Sequence, residues 1–244
     1  MGKVVVVGSI NVDMVFASSI RPAAGETVLG DSFSVIPGGK GANQAVAASK
    51  LGAQVSMIGC IGNDGNGEFS LKNLQSMNVD TEGIEKTTDA PTGVANIIVA
   101  ENDNSIIVIP GANYKITIET INRFKHVILN CDIVLLQLEI PLDVVEYTLE
   151  LCKKNNVLVM LNPAPAVELS KAMIENADFI TPNEHELKII FGKNSLEDTD
   201  SIIKKYPNKL IVTMGSKGVK YFDGNDIKSI PVVKADVVDT TGAG

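Results

Sequence analysis

Tryptophan is absent from the 244 residues, histidine occurs twice and cysteine three times. Cys60, Cys131 and Cys152 lie far apart, each inside an apolar stretch. That excludes a disulfide framework and predicts buried thiols in a reducing compartment. His126 and His185 have no ligand-like spacing to the cysteines, which removes a zinc site. Cations are in deficit: 21 Lys and Arg against 29 Asp and Glu leave a net charge of −8. A general nucleic-acid binder carries a basic patch, so nucleic acid is excluded as a partner class. No apolar run reaches the roughly 20 residues that a membrane-spanning helix needs. The start, "MGKVVVVGSINVD", has no small-residue cleavage site and reads as a buried strand, so a cytoplasmic protein is expected. Length and a hydrophobic content of 45% fit one large domain with a small appendage.

Short apolar runs recur, each followed by a helix-like segment: Val4–Val7, Val55–Ile58, Ile133–Leu138, Val157–Leu161, Phe179–Ile180 and Leu210–Thr213. Continuous apolar runs predict strands buried on both faces, and their alternation with helices predicts βαβ units and a parallel sheet. Val144, Val145, Thr148, Leu149 and Cys152 share one face of a helix. Two segments, roughly 13–36 and 92–109, break the rhythm. In the first, Leu29, Asp31, Phe33 and Val35 fall on one face. In the second, "ENDN" between β-branched runs reads as a hairpin turn. Together they predict a small antiparallel sheet that acts as a lid or a dimer contact.

The stretch "IPGGKGANQAVAASKLG", Ile36–Gly52, is a glycine turn at a helix start. It is not a P-loop, which requires G-x-x-x-x-G-K-[ST]. Gly41 follows Lys40, and Ser34 stands five residues before Gly39. What remains is a turn with free backbone N–H groups, a cation (Lys40) and an amide (Asn43), suited to a polar ligand held by many hydrogen bonds. A turn that merely starts a packed helix fits the same residues.

Polar residues follow each expected strand: Asn11 and Asp13, Glu139, Asn162, then Asn183 with Glu186, and "MGSKG" after Thr213. Ligands bind outside the carboxyl ends of open α/β sheets. Asn183 also suits a helix N-cap, with Glu186 closing a capping box. The last residues, "VVDTTGAG", read as a glycine-rich helix start where N–H groups hold a developing negative charge. The sequence stops before that helix, so a truncated chain is expected.

The segments "GSINVD", "PGGKGANQAVAASKLGA", "LLQLEIP", "LNPAPA", "ITPNEHE", "TMGSKG" and "DTTGAG" resemble, in order and approximate spacing, the ribokinase branch of the PfkB carbohydrate kinase family. The resemblance runs from Val4 to Gly244. It implies an α/β fold, a Rossmann-like parallel-sheet sandwich (ribokinase-like) with a small antiparallel β lid. Residues 1–244 would form one such domain, its C-terminal part missing. The implied reaction is ATP-dependent phosphorylation of ribose at its primary hydroxyl. A deoxyribokinase, another sugar or nucleoside kinase of the family, or a non-catalytic sugar-binding form are the alternatives. Asn11, Asp13, Gly39, Lys40, Asn43 and Glu139 match the family's sugar-binding positions. Asn183, Thr213, Gly215, Ser216 and Gly218 match the ATP side. Glu186 would sit near Mg2+ and the phosphates, and Asp239 and Thr241 in a loop binding a monovalent cation, usually K+. Gly242, Ala243 and Gly244 match the anion hole. The resemblance implies a catalytic aspartate directly after the last glycine, so these 244 residues are expected to show no ribose-dependent ATP turnover. Homodimerisation through the lid is implied as well.

Overall fold

The computed structural model describes residues 1–101, 103–192 and 198–233. The chain opens with β1 (Lys3–Val7), β2 (Asn11–Ala17) and β3 (Ser32–Gly38), then α1 (Lys40–Lys50), β4 (Gln54–Gly62) and α2 (Gly65–Ser76). Two short strands, β5 (Val79–Asp80) and β6 (Ile84–Thr87), precede the hairpin β7 (Gly93–Ala100) and β8 (Asp103–Ile109). A 3₁₀ turn at Gly111–Lys115 leads to α3 (Ile118–Arg123), α4 (Lys125–Ile128), β9 (Ile133–Leu136), α5 (Leu142–Lys154) and β10 (Leu158–Leu161). Then come α6 (Lys171–Asn176), β11 (Phe179–Ile180), α7 (Glu184–Ile190), α8 (Thr199–Lys204), β12 (Ile211–Thr213), β13 (Val219–Phe222) and β14 (Ile227–Ile230).

The main sheet is parallel, in the order β11-β10-β9-β1-β4-β5, with β6 also on β4. Its strands read as unbroken apolar runs because both faces are covered. On β1, Val5 and Val7 pack into one cluster with Ile128, Val145 and Leu149, while Val6 packs into another with Ala45, Met57 and Leu74. Adjacent side chains on a strand point to opposite faces, so four consecutive valines serve two cores. The expected helical face is buried along α5, at Val144, Val145, Thr148, Leu149 and Cys152. Cys60 and Cys152 are buried, Cys131 is half-buried, and all three are free thiols. The expected strand at Leu210–Thr213 is β12. It meets the β11 side through parallel bridges Ile180–Leu210 and Asn183–Thr213 and forms an antiparallel sheet with β13 and β14.

The small sheet has the order β3-β2-β7-β8. Its outer pairs, β2–β3 and β7–β8, are antiparallel, but the central pair β2–β7 is parallel. The expected antiparallel lid is present in the two outer pairs, the parallel centre is the departure from it, and the cause is local. β2 leaves the carboxyl end of β1, and β7 starts beside the carboxyl end of β4, where Gly62 N–H donates to Thr92 Oγ1. Both strands leave the same edge of the main sheet and therefore run in the same direction. Leu29 and Asp31 precede β3 instead of sharing its face with Phe33 and Val35, and all four are exposed. The expected turn at the "ENDN" stretch joins β7 to β8, with Glu101 in the left-handed region at φ 58°.

Candidate active site

β1 pairs on one side with β4, the next strand of the main sheet, and on the other with β9, which comes much later in the chain. This reversal of strand order opens a crevice at the carboxyl end of β1. Gly8 and Ser9 follow β1, Asn11 and Asp13 open β2, and Glu139 follows β9. The turn Gly38–Lys40 enters α1 beside them.

The close approach of that turn requires glycine. Gly39, the N-cap of α1, has φ 93°. A Cβ on it would lie 2.7 Å from the Asn11 backbone N and 2.9 Å from the Ser9 carbonyl oxygen. The first N–H groups of α1 were expected to be free for a ligand; they are not. Lys40 N–H donates to Glu139 Oε2 at 3.1 Å and Gly41 N–H to Ser9 Oγ at 3.2 Å. The Ala42 and Asn43 N–H groups donate to the Ser9 and Gly39 carbonyls. Ser9 Oγ in turn donates to Glu139 Oε2 at 2.5 Å. The helix start is thus used to hold Glu139. Among the described residues Glu139 Oε1 has no partner, so it is the oxygen left for a ligand.

Asn11 and Asp13 are two apart on β2 and share a face. Both are buried, at 3% and 8% exposure. Asp13 packs so tightly on Gly38 that a Cβ there would lie 2.1 Å from Asp13 Oδ1. Burial, then the negative charge of Glu139, push the Asp13 carboxyl up to about 6, against a smaller opposing pull from Lys40. A buried carboxylate held beside a second one is costly for a fold, and such groups cluster at functional sites.

Asn11, Lys40, Leu138, Glu139, Ala164 and Glu186 are among the residues lining one cavity of about 410 Å³. The expected sugar-side residues Asn11, Lys40 and Glu139 therefore meet there with Glu186, expected on the phosphate side. Asp13, Gly39 and Asn43 are not among the lining residues: Asp13 is buried behind the cavity wall, Gly39 is buried in the turn, and Asn43 is exposed on the first turn of α1. Asn183 is the N-cap of α7. Its Oδ1 accepts the N–H groups of His185 and Glu186, and its own N–H donates to Glu186 Oε2 at 2.8 Å, the capping box its spacing predicted. The bridge to Thr213 brings the two expected nucleotide-side strand ends together. Gly215 and Gly218 take φ 55° and 90° around exposed Ser216, so this turn also depends on glycine. Asn162 donates to the Thr181 carbonyl and ties two strand ends. Asp239, Thr241, Gly242, Ala243 and Gly244 lie outside the described residues.

Two further residues belong to this constellation. Ser9 stands inside "GSINVD" and could have been singled out as the residue entering the crevice. Asn113 lines the cavity and is bonded to Asn11, 102 residues away, a contact no local spacing signals.

Comparison with known proteins agrees with this architecture. The profile described as "pfkB family carbohydrate kinase" matches residues 1–244. The chain belongs to the PfkB carbohydrate kinase family. Ribokinase of Bacillus subtilis (strain 168) is 44% identical over 244 residues, covering 100% of this chain and 82% of the relative. Ribokinase of Lactococcus lactis (strain IL1403) is 46% identical over 245 residues, covering 100% of this chain and 80% of the relative. The structure of Arabidopsis thaliana ribokinase complexed with ribose and ATP superposes with a TM-score of 0.87 at 29% identity, covering 100% of this chain and 82% of that one. A PfkB kinase must bring a sugar hydroxyl and a nucleotide phosphate together, and the cavity between Asn11, Glu139 and Glu186 lies where the reversed strand order opens.

Proposed function

We propose that this cavity binds ribose as the acceptor in ATP-dependent transfer of the γ-phosphoryl group to the sugar's primary hydroxyl, the reaction of the protein to which these residues belong. The observation that carries the reading is the convergence of Glu139 as acceptor with Asn11 and Lys40 as donors on one cavity that reaches Glu186, with buried Asp13 close enough to feel the charges of Glu139 and Lys40. Each sugar hydroxyl offers one hydrogen and accepts others, so carboxylates beside amide and ammonium donors can satisfy neighbouring hydroxyls together. The high identity to two bacterial ribokinases favours ribose. Asn183, Thr213, Gly215, Ser216 and Gly218 are assigned to the nucleotide side.

Magnesium fits Glu186 as an outer ligand. One of its oxygens is engaged by Asn183 N–H, and the residue lines the cavity. Among the described residues no three His, Cys, Asp or Glu side chains converge to cage an ion, so phosphate and water would supply most of the coordination. The ion would neutralise phosphate charge during transfer. The assignments of Asp239 and Thr241 to potassium, and of Gly242–Gly244 to the anion hole, rest on the family resemblance. No helix among the described residues is long and apolar enough to cross a membrane; a cytoplasmic setting is part of this proposal.

Calorimetric titration of the 244-residue chain with D-ribose and with 2-deoxy-D-ribose tests the reading. One site per chain with ribose preferred is the expected result. Equal or tighter 2-deoxyribose binding would move the assignment to a deoxyribose kinase, and no heat with either pentose would overturn it. The same titration carries a pH prediction. Hydroxyl hydrogens need an ionised Asp13, whose carboxyl titrates at about 6. Ribose affinity should be level above about pH 7 and fall about tenfold per pH unit below pH 6. An affinity unchanged at pH 5 would remove Asp13 from the sugar contact.

We assign the lid sheet a second role, as the contact with another copy of this chain. Phe33 on β3 and Ile106, Ile107 and Ile109 on β8 are 52–65% exposed on its two edge strands. Unpaired apolar edges of this kind invite strand or sheet pairing. Ile107→Glu should convert a dimer to a monomer in sedimentation equilibrium. A wild-type chain that is already monomeric at micromolar concentration would contradict the assignment.

A further inference from the structure

Asn113 lies in the 3₁₀ turn that follows lid strand β8 and is 1% exposed. Its Oδ1 accepts the Ile10 backbone N–H at 2.8 Å, and its Nδ2 donates to Asn11 Oδ1 at 2.7 Å. These two bonds leave no freedom in the assignment of either amide. A backbone N–H only donates, so it must meet the oxygen of Asn113. The Asn113 nitrogen is thereby turned to Asn11 and must meet an oxygen there. Asn11 Nδ2 is the group left over. Among the described residues no acceptor takes it, and Asn11 lines the cavity. The pair rests on bare backbone: a Cβ on Gly93, which pairs with Asn11 across β2–β7, would lie 2.2 Å from Asn11 Oδ1 and 2.4 Å from Asn113 Nδ2.

We propose that Asn113 is a positioning residue that sets the polarity of the sugar-facing amide, holding Asn11 with its N–H donor toward the ligand. The inference rests on the reading of this cavity as the sugar site. The ionised carboxylates of Asp13, two residues along the same face, and of Glu139 can only accept. With Asn11 held as it is, the wall presents a donor beside acceptors, and a polyol can use both. With Asn11 reversed, the wall would present its acceptors side by side, and a hydroxyl that spends its one hydrogen on Asp13 or Glu139 would have none left for the Asn11 carbonyl. Asn113 also closes the root of the lid. Its own N–H donates to the Pro110 carbonyl, and the Ala112 N–H to the Pro91 carbonyl. The segments entering and leaving the lid hairpin therefore share the turn that orients Asn11.

Asn113→Asp is the test, read by ribose titration across pH. The ionised carboxylate of this variant can only accept, so Asn11 must turn its N–H inward and its oxygen to the cavity. Ribose affinity at pH 8 should drop about 30-fold, the scale of a lost charge-balanced hydrogen bond with a repulsive contact in its place. As the pH falls, a protonated side chain regains the donor, and the ratio of variant to wild-type Kd should shrink. A structural defect alone would keep that ratio constant. An Asn113→Asp chain within threefold of wild type at pH 8, or a pH-independent ratio, would overturn the inference. Should that variant fail to fold, Asn113→Ala decides. It frees the Asn11 amide without adding charge, and should weaken ribose binding about fivefold to tenfold while the chain still melts cooperatively. Wild-type affinity in the alanine variant would overturn the inference. Absence of pentose binding by the wild-type chain overturns the sugar reading and this inference with it, whereas binding that neither variant alters overturns this inference alone.

Discussion

Asp13→Asn is expected to lower ribose affinity by two orders of magnitude and yet raise the melting temperature of the sugar-free chain at pH 7.5. Both effects come from the same burial. Hydrogen bonds to an ionised group contribute about 1.5–3 kcal/mol each, so loss of two costs about 100-fold or more in binding. The folded Asp13 carboxyl titrates at about 6, above the ordinary value of 3.8, because burial and Glu139 penalise its charge. A raised carboxyl pKa means that folding favours the protonated form. The penalty on the ionised form is fully present above about pH 7 and is relieved as the pH falls from 6 toward 3.8. The shift sets an upper bound of about 3 kcal/mol on its size, and solvent screening reduces it. The amide removes the charge at nearly constant shape, so the variant should gain stability at pH 7.5 and lose that advantage near pH 4. Thermal melts at the two pH values and one ribose titration check the pair. A variant that binds ribose normally, or melts lower than wild type at both pH values, would contradict the role given to Asp13.

The second large effect belongs to Gly39→Ala. Its φ of 93° is a conformation L-residues avoid, and the atoms a new Cβ would meet (Asn11 N, Ser9 O and Ile10 Cα) are all backbone, at 2.7–3.0 Å. No rotamer can relieve that contact. Strain and overpacking together should cost about 3–5 kcal/mol. The displaced turn would also pull Lys40 N–H from Glu139 Oε2, so sugar binding should be lost even where the chain folds. Gly52 is the control at the other end of α1. It has a similar φ of 91°, but a Cβ there meets nothing within 4 Å. Gly52→Ala should cost only about 1 kcal/mol and leave ribose affinity intact. Denaturant unfolding of the two variants separates conformation from contact. Equal losses would contradict the steric account.

The parts of this molecule that could be read from sequence are those whose cause is local. The valine run of β1 announced a strand covered on both faces. The spacing of Val145, Leu149 and Cys152 announced the buried face of α5, and Asn183 with Glu186 announced a capping box. The polar series after the strands pointed to the edge where the cavity lies, because a parallel sheet delivers strand ends to one edge. The remainder depended on contacts between distant residues. The bond from Ser9 to Glu139 spans 130 residues, and it takes up N–H groups of α1 that the glycine turn had suggested were open to ligand. Asn113 has no motif of its own and acquires its place only when β8 returns the chain to the root of β2. The parallel pairing of β2 with β7 follows from where the two strands leave the main sheet, which no hydrophobic pattern encodes. Asn43, chosen on its position in the glycine turn, is on the exposed side of the first turn of α1, away from the cavity lining.

A crystal structure of the chain soaked with D-ribose tests the central claim most directly. The account predicts one sugar in the crevice at the carboxyl end of β1, with hydroxyls about 3 Å from the Asp13 carboxylate, Glu139 Oε1 and Asn11 Nδ2. Ribose ordered elsewhere on the molecule, with these three groups still facing water, would contradict it.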